Sequence, residues 1–205
     1  TQSNPDHSVQ LNFSTNIYRL NFDSLVKIPD TTMENHYTIP FSAGINCAPG
    51  QIFVSQPEDV SLSVNDVELT QVKIKEGTVH YSIRSNIPGD VVYDYTIANA
   101  INSSGDSFVK TLTVPAANSN FSNLTGSFSL AGYTIDLTGT NQNSYNTLST
   151  LIQIKLSENH PSNLTITNQD SVTIINTISN LQVEYAEGYF GNQVTSIANN
   201  KNELK

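Results

Sequence analysis

Apolar and polar residues alternate along most of the chain, which is the period of a β-strand and not of a helix. In the clearest segment, Val79, Tyr81 and Ile83 fall on one face of a strand. His80 and Arg84 fall on the opposite face, because successive side chains of a strand point to opposite sides. We therefore expect the first three side chains to be buried and the other two to be exposed.

Turn residues separate these alternating segments. Tyr93 and Tyr95 share one face of the next segment, where they indicate a core strand. The turn Asn86–Asp90 precedes it and predicts a hairpin with the segment around Tyr81. Ala131 and Gly132 interrupt a later segment in the manner of a β-bulge.

Roughly nine to eleven such segments occur at the spacing typical of sandwiches and barrels. No long segment has a helical period, and only residues 20–26 would accommodate a helical turn. The sequence predicts an all-β protein, an antiparallel β-sandwich or strongly curved sheet with little or no helix.

The regularity of the apolar–polar alternation divides the chain into four regions. Residues 1–8 form a polar N-terminal tether, and residues 9–72 form a less regular β segment divided by prolines. Residues 73–192 form the main antiparallel region. Residues 193–205 resemble a C-terminal tail or a truncated end.

Composition narrows the classes of function. The net charge is −9 with only 9 Lys and Arg residues, which argues against nucleic acid as a partner. No stretch is long and apolar enough for a transmembrane helix. With a single cysteine, Cys47, the chain has no internal disulfide, and we expect this thiol to be a small buried group. The start of the chain suits an exported protein with a lipid anchor upstream.

Residues capable of catalysis or metal binding are scattered. The four histidines are not at metal-binding spacing from one another, and no nucleophile motif is present. The carboxylate pairs Asp90 with Asp94 and Glu184 with Glu187 show no sign of convergence. We therefore expect no enzyme activity, no catalytic residues, no metal site and no cofactor. The loop Asn102–Asp106 has residue types suited to calcium, which is the minor alternative to a plain turn.

One aromatic pair is the candidate contact site. Tyr189 and Phe190 are flanked by Gly188 and Gly191 after the last clear strand. Such a pair either closes the end of the sandwich or forms an exposed contact patch.

Three segments carry a resemblance to a known group of proteins. They are Gly132–Gly139, Ser144–Leu148 and Tyr185–Gly191, which contain the sequences DLTG, YNTL and GYFG in that order. This pattern resembles uncharacterised cell-envelope proteins and lipoproteins of the Bacteroidetes, mainly of flavobacteria. The resemblance implies an exported protein at the cell surface or outer membrane, and it implies no activity.

Two functions are consistent with these observations. The first is a non-catalytic surface or envelope module that binds a protein or glycan partner through loops or a sheet face. The alternative is a carrier whose sheet encloses an apolar, lipid-like ligand. A large interior cavity would favour the carrier, and a solid core would favour the module.

Overall fold

The computed structural model describes residues 2–3, 9–10, 27–40, 42–64, 66–118 and 120–191. All regular structure in these ranges is β-strand, which confirms the predicted all-β class. The described residues include no helix that could cross a membrane. Residues 20–26, where a helical turn was predicted, and residues 193–205 lie outside the described ranges.

Thirteen strands are described. They are β1 (Gln2–Ser3), β2 (Val9–Gln10), β3 (Thr31–Thr38), β4 (Ile45–Cys47), β5 (Ile52–Ser61), β6 (Glu68–Ser85), β7 (Val91–Ile101), β8 (Ser107–Val114), β9 (Ser122–Ser129), β10 (Thr134–Asp136), β11 (Thr147–Leu156), β12 (Leu164–Ile166) and β13 (Ser171–Tyr189). Two small ladders, β1 with β2 and β4 with β12, stand apart from the main sheet.

The main sheet folds into two four-stranded layers. One layer has the order β3-β13-β6-β9, and the other has the order β5-β11-β7-β8. The short strand β10 pairs with both β6 and β7 and so joins the layers. All of these strand pairs are antiparallel. The predicted antiparallel β-sandwich or strongly curved sheet is confirmed.

Strand pairing is nested along the chain. In chain order, β3, β5, β6 and β7 pair with β13, β11, β9 and β8. The chain therefore forms one long antiparallel ribbon that turns back between β7 and β8. Eight strands wound in this way into two packed sheets form a jelly roll.

Side chains from the two layers meet at the centre and at the edges of the sandwich. At the centre, Asn176 of β13 donates a hydrogen bond to Tyr93 of β7. At one side, Asn35 of β3 bonds Glu58 of β5, with a distance of 3.1 Å between Nδ2 and Oε2. At the other side, the rings of Phe108 in β8 and Phe128 in β9 lie 6.4 Å apart, edge to face.

The predicted faces of β6 are correct. Val79 and Ile83 are fully buried, Tyr81 is half-buried, and His80 and Arg84 are exposed. Tyr93 and Tyr95 of β7 are fully buried, as predicted. The Tyr81 ring stacks on Phe128 and covers Gly126, where an added Cβ would lie 2.2 Å from the tyrosine hydroxyl.

Two local predictions are wrong. The strands β6 and β7 do not form a hairpin, because Asn86–Asp90 carries the chain from one layer to the other. Ala131 and Gly132 form a turn between β9 and β10, with φ of +82° at Gly132, and not a bulge. The long strand β13 is continuous through Ile174 and Val183, although its register shifts after Ser179.

Replacement of Ile83 by Ala should lower the free energy of unfolding by about 2–5 kcal/mol, because its side chain is completely buried. Chemical denaturation measures this loss. His80→Ala is the matched control on the opposite face of the same strand, and we expect it to change stability by less than about 0.5 kcal/mol. Equal losses in the two variants would contradict the assigned register.

Candidate functional site

An open cleft of about 690 Å³ lies at the end of the sandwich where β6 begins and β13 ends. We call it the end cleft. Its lining residues are Val64, Asp66, Val67, Glu68, Tyr145, Asn146, Tyr189 and Gly191. Tyr145 and Tyr189 are 53% and 60% exposed, so two large aromatic side chains of this surface remain accessible to a partner.

Tyr189 is positioned by the end of the ladder between β13 and β6. It pairs with Glu68, and the preceding Gly188 pairs with Leu69 across a register irregularity. Gly188 has φ of +147°, and a Cβ there would lie 2.0 Å from the Glu68 carbonyl oxygen. Only glycine allows this close approach of the two backbones. The strand pairing therefore fixes the backbone that carries Tyr189.

Tyr145 is held through its neighbour, Asn146. The Asn146 Oδ1 accepts a hydrogen bond from the Leu69 amide at 2.8 Å, and its Nδ2 donates to the Val67 carbonyl at 2.7 Å. The Asn146 amide also donates to the Leu69 carbonyl. Its φ of +52° is one that asparagine tolerates better than most residues. This side chain thus fixes the Tyr145 loop to the start of β6.

The same loop, which connects β10 to β11, is also tied to β5 by a carboxylate. Asp59 accepts hydrogen bonds from the Ser149 hydroxyl at 2.6 Å, and from the Thr140 hydroxyl and amide at 2.8 and 3.1 Å. The hydrogen bonds from Ser149 and Thr140 hold the pKa of Asp59 below its ordinary value. Ionised Asp59 therefore helps to hold the loop that presents Tyr145.

The charge of the end cleft is negative. Asp66 and Glu68 line it, and its described lining residues include no lysine, arginine or histidine. The whole chain also carries a net charge of −9. A cleft lined by one sign of charge concentrates ligands of the opposite sign and repels ligands of the same sign. The lining thus suits a neutral or basic group and disfavours an anionic one.

The structure separates the two residues of the predicted contact patch. Tyr189 lies exposed in the end cleft, whereas Phe190 is partly buried and packs against the core. The other cleft residues, Tyr145, Asp66 and Glu68, were not predicted as site residues. Tyr145 lies in one of the segments that carry the resemblance, but no local pattern indicates that it faces the end of β13.

The four acids of the two candidate carboxylate pairs are engaged by other groups. Asp94 accepts a hydrogen bond from Thr111 and lies 3.7 Å from the Lys155 ammonium. Asp90 instead accepts a hydrogen bond from the Ala116 amide. Glu184 pairs with Lys73, and Glu187 accepts a hydrogen bond from the Tyr185 hydroxyl. Each of these acids thus has its own local partner.

The loop considered for calcium is closed by its own side chains. The Asn102 Oδ1 accepts hydrogen bonds from the amides of Ser104 and Asp106, and its Nδ2 donates to the Asp106 carboxylate. Among the residues that the structure describes, no three His, Cys, Asp or Glu side chains are grouped to hold a metal. Cys47 is buried, and burial raises the pKa of its thiol.

No family model and no curated protein matches the chain. Among solved structures, the chain is similar to one in the empty head of turnip yellow mosaic virus, with 8% sequence identity and a TM-score of 0.29 over 87% of this chain and 91% of that chain. A chain of black queen cell virus gives 12% identity and a TM-score of 0.29 over 94% and 88%.

A chain of deformed wing virus, a honeybee pathogen, gives 10% identity and a TM-score of 0.29 over all of this chain and 60% of that chain. Identity and TM-score are low in each case. The strand pairing establishes the fold, and these similarities carry no argument about function.

Acidification should release the loop that Asp59 holds. Because its folded-state pKa lies below its ordinary value of 3.8, its contribution to stability is present above that value and is lost as the pH falls through the folded-state pKa. We expect Asp59→Asn to be less stable than the wild type at neutral pH, with the difference shrinking in strong acid. Urea unfolding of both proteins from pH 7 to pH 2 measures this. A difference independent of pH would contradict the role of the ionised carboxylate.

Proposed function

We propose that the protein is a non-catalytic binding module that contacts its partner through the end cleft. The observation that carries the proposal is the exposure of Tyr145 and Tyr189 on rigidly held backbone in one open cleft. Exposed tyrosines offer a large apolar surface with a polar hydroxyl, a combination common at binding surfaces. Fixed backbone lowers the entropy lost on binding.

A non-catalytic role is supported by the distribution of titratable groups. Catalytic sites require such groups to converge and to be tuned by burial and by their neighbours. In the described ranges, the candidate carboxylates Asp90, Asp94, Glu184 and Glu187 bind separate local partners. The end cleft offers aromatic rings and two carboxylates, and there is no histidine or cysteine among the described residues of its lining.

The size of the interior cavities favours a binding module over a carrier of an apolar ligand. An apolar cavity lined by Ile74, Ile97 and Leu148, among others, has a volume of about 20 Å³. This is space for about one water molecule, and a lipid-sized ligand requires several hundred Å³.

We propose that the protein is exported and acts at the cell surface or outer membrane. Support comes from the acidic, Asn-rich and disulfide-free composition and from the resemblance of the C-terminal half to envelope proteins. The partner is a protein or a glycan. The acidic lining favours a neutral glycan or a basic protein segment.

Binding should depend on the two cleft tyrosines. We expect Tyr145→Ala and Tyr189→Ala each to weaken binding by about tenfold, the loss typical of a central aromatic contact. Tyr185→Ala is the matched control, because Tyr185 is also exposed on β13 but lies outside the cleft lining. An array of neutral and acidic glycans, together with immobilised envelope proteins, is probed with each variant.

Two results would contradict the proposal. One is partner binding by the wild type that survives both cleft substitutions, and the other is hydrolysis of a glycan or peptide that single carboxylate variants abolish. Melting temperatures of all variants serve as the control for folding, and we expect them to lie close to that of the wild type.

A further inference from the structure

A group of polar side chains lies between the two layers of the sandwich. We call it the interior polar cluster, and it consists of Asn35, Tyr37, Glu58, Tyr93, Tyr95 and Asn176. Tyr95 and Asn176 are 0% and 1% exposed, and Tyr93 is 1% exposed. Asn35, Tyr37 and Glu58 lie nearer to the edge that β3 and β5 form, where they are half-buried.

The cluster uses only part of its hydrogen-bonding capacity. Asn176 Nδ2 donates to the Tyr93 hydroxyl at 3.0 Å, and Asn35 Nδ2 donates to Glu58 Oε2 at 3.1 Å. Each asparagine therefore uses its side-chain Nδ2 as a hydrogen-bond donor. The Oδ1 atoms of Asn35 and Asn176 and the hydroxyls of Tyr37 and Tyr95 are buried, and none of them has a hydrogen-bond partner among the residues that the structure describes.

These unpartnered atoms are complementary in chemistry. An asparagine Oδ1 can only accept a hydrogen bond, whereas a tyrosine hydroxyl can both donate and accept. Burial raises the pKa of Tyr37 to about 12, with a further rise from Glu58, so its hydroxyl keeps its proton. Burial also raises the pKa of Tyr95, and Tyr93 and Glu58 add to that rise. Both tyrosines therefore remain potential donors.

Water is the ligand that such a set of groups requires. A buried polar atom without a partner is costly, and buried waters typically make about three hydrogen bonds to atoms of this kind. A cavity of about 10 Å³, the room of a single water molecule, borders Tyr37 at the edge of the cluster. The four oxygens include donors and acceptors, and a water molecule can act as either.

We propose that the interior polar cluster is a structural water site that links the two layers of the sandwich. At least one bound water accepts a hydrogen bond from the Tyr95 hydroxyl and donates one to Asn176 Oδ1. Tyr95 belongs to β7 in one layer, and Asn176 belongs to β13 in the other. The water thus adds a second polar connection beside the direct bond between Asn176 and Tyr93.

Whether Tyr95→Phe lowers or raises the melting temperature tests this site. If water satisfies the Tyr95 hydroxyl, Tyr95→Phe removes hydrogen bonds and should lower the melting temperature. If the hydroxyl is unsatisfied, the same substitution removes a buried polar group without a partner and should raise the melting temperature. Tyr93→Phe is the matched control. It removes the hydroxyl that Asn176 contacts directly and should lower the melting temperature in either case.

A crystal structure of the full chain, at a resolution that shows ordered water, provides the second measurement. We expect a water within hydrogen-bonding distance of Tyr95 and Asn176 in the wild type, and its loss or displacement in Tyr95→Phe. A raised or unchanged melting temperature for Tyr95→Phe would overturn the proposal. A direct bond between the Tyr95 hydroxyl and Asn176 Oδ1, with no water beside them, would also overturn it.

Discussion

The antiparallel ladder between β6 and β13 is the interaction on which the rest of the structure depends. These are the two longest strands, and they lie side by side at the centre of one layer. The strand β6 also pairs with β9 and β10, and β10 connects this layer to β7 in the other layer. Because side chains alternate along a strand, the register of this ladder decides which residues of the whole layer face the core.

The irregular end of the same ladder creates the end cleft. Near Ser171 the pairing is regular, and side chains such as Ile174 and Ile178 enter the core in alternation. Beyond Ser179 the register shifts repeatedly, and the last shift lies at Gly188. Bulges re-aim the side chains that follow them. One strand thus supplies core residues along its first half and an exposed aromatic, Tyr189, at its end.

Polar residues inside the sandwich have a different role from those on its surface. Asn, Ser and Thr side chains on outer faces need only water as a partner. Asn176 and Tyr93 are buried, and their hydrogen bond connects the two layers at a defined position. Apolar contacts are non-directional, whereas a buried hydrogen bond is satisfied in only one arrangement of the layers.

Local pattern was sufficient to predict the fold class and the faces of individual strands. The alternation at Val79 and Ile83 and at Tyr93 and Tyr95 is a property of each segment alone, so burial could be predicted without knowing the partners. The pattern could not predict which strands pair with one another, as the turn Asn86–Asp90 illustrates. Its residues indicate a reversal of the chain, but they do not determine whether the next strand pairs in the same layer or crosses to the other. The end cleft was missed for the same reason, because only the pairing of distant strands brings Tyr145 and Tyr189 into the lining of one cleft.

Nested pairing also sets the order in which strands acquire neighbours as the chain leaves the ribosome. The strands β3, β5 and β6 are synthesised well before their ribbon partners β13, β11 and β9. The first of the ribbon pairs that can close is β7 with β8, and the last is β3 with β13. Until synthesis reaches residue 171, β3 lacks the strand beside which it lies in the folded protein. Nascent chains of this topology carry unpaired strand edges through most of translation, a period in which such edges are open to association with other chains.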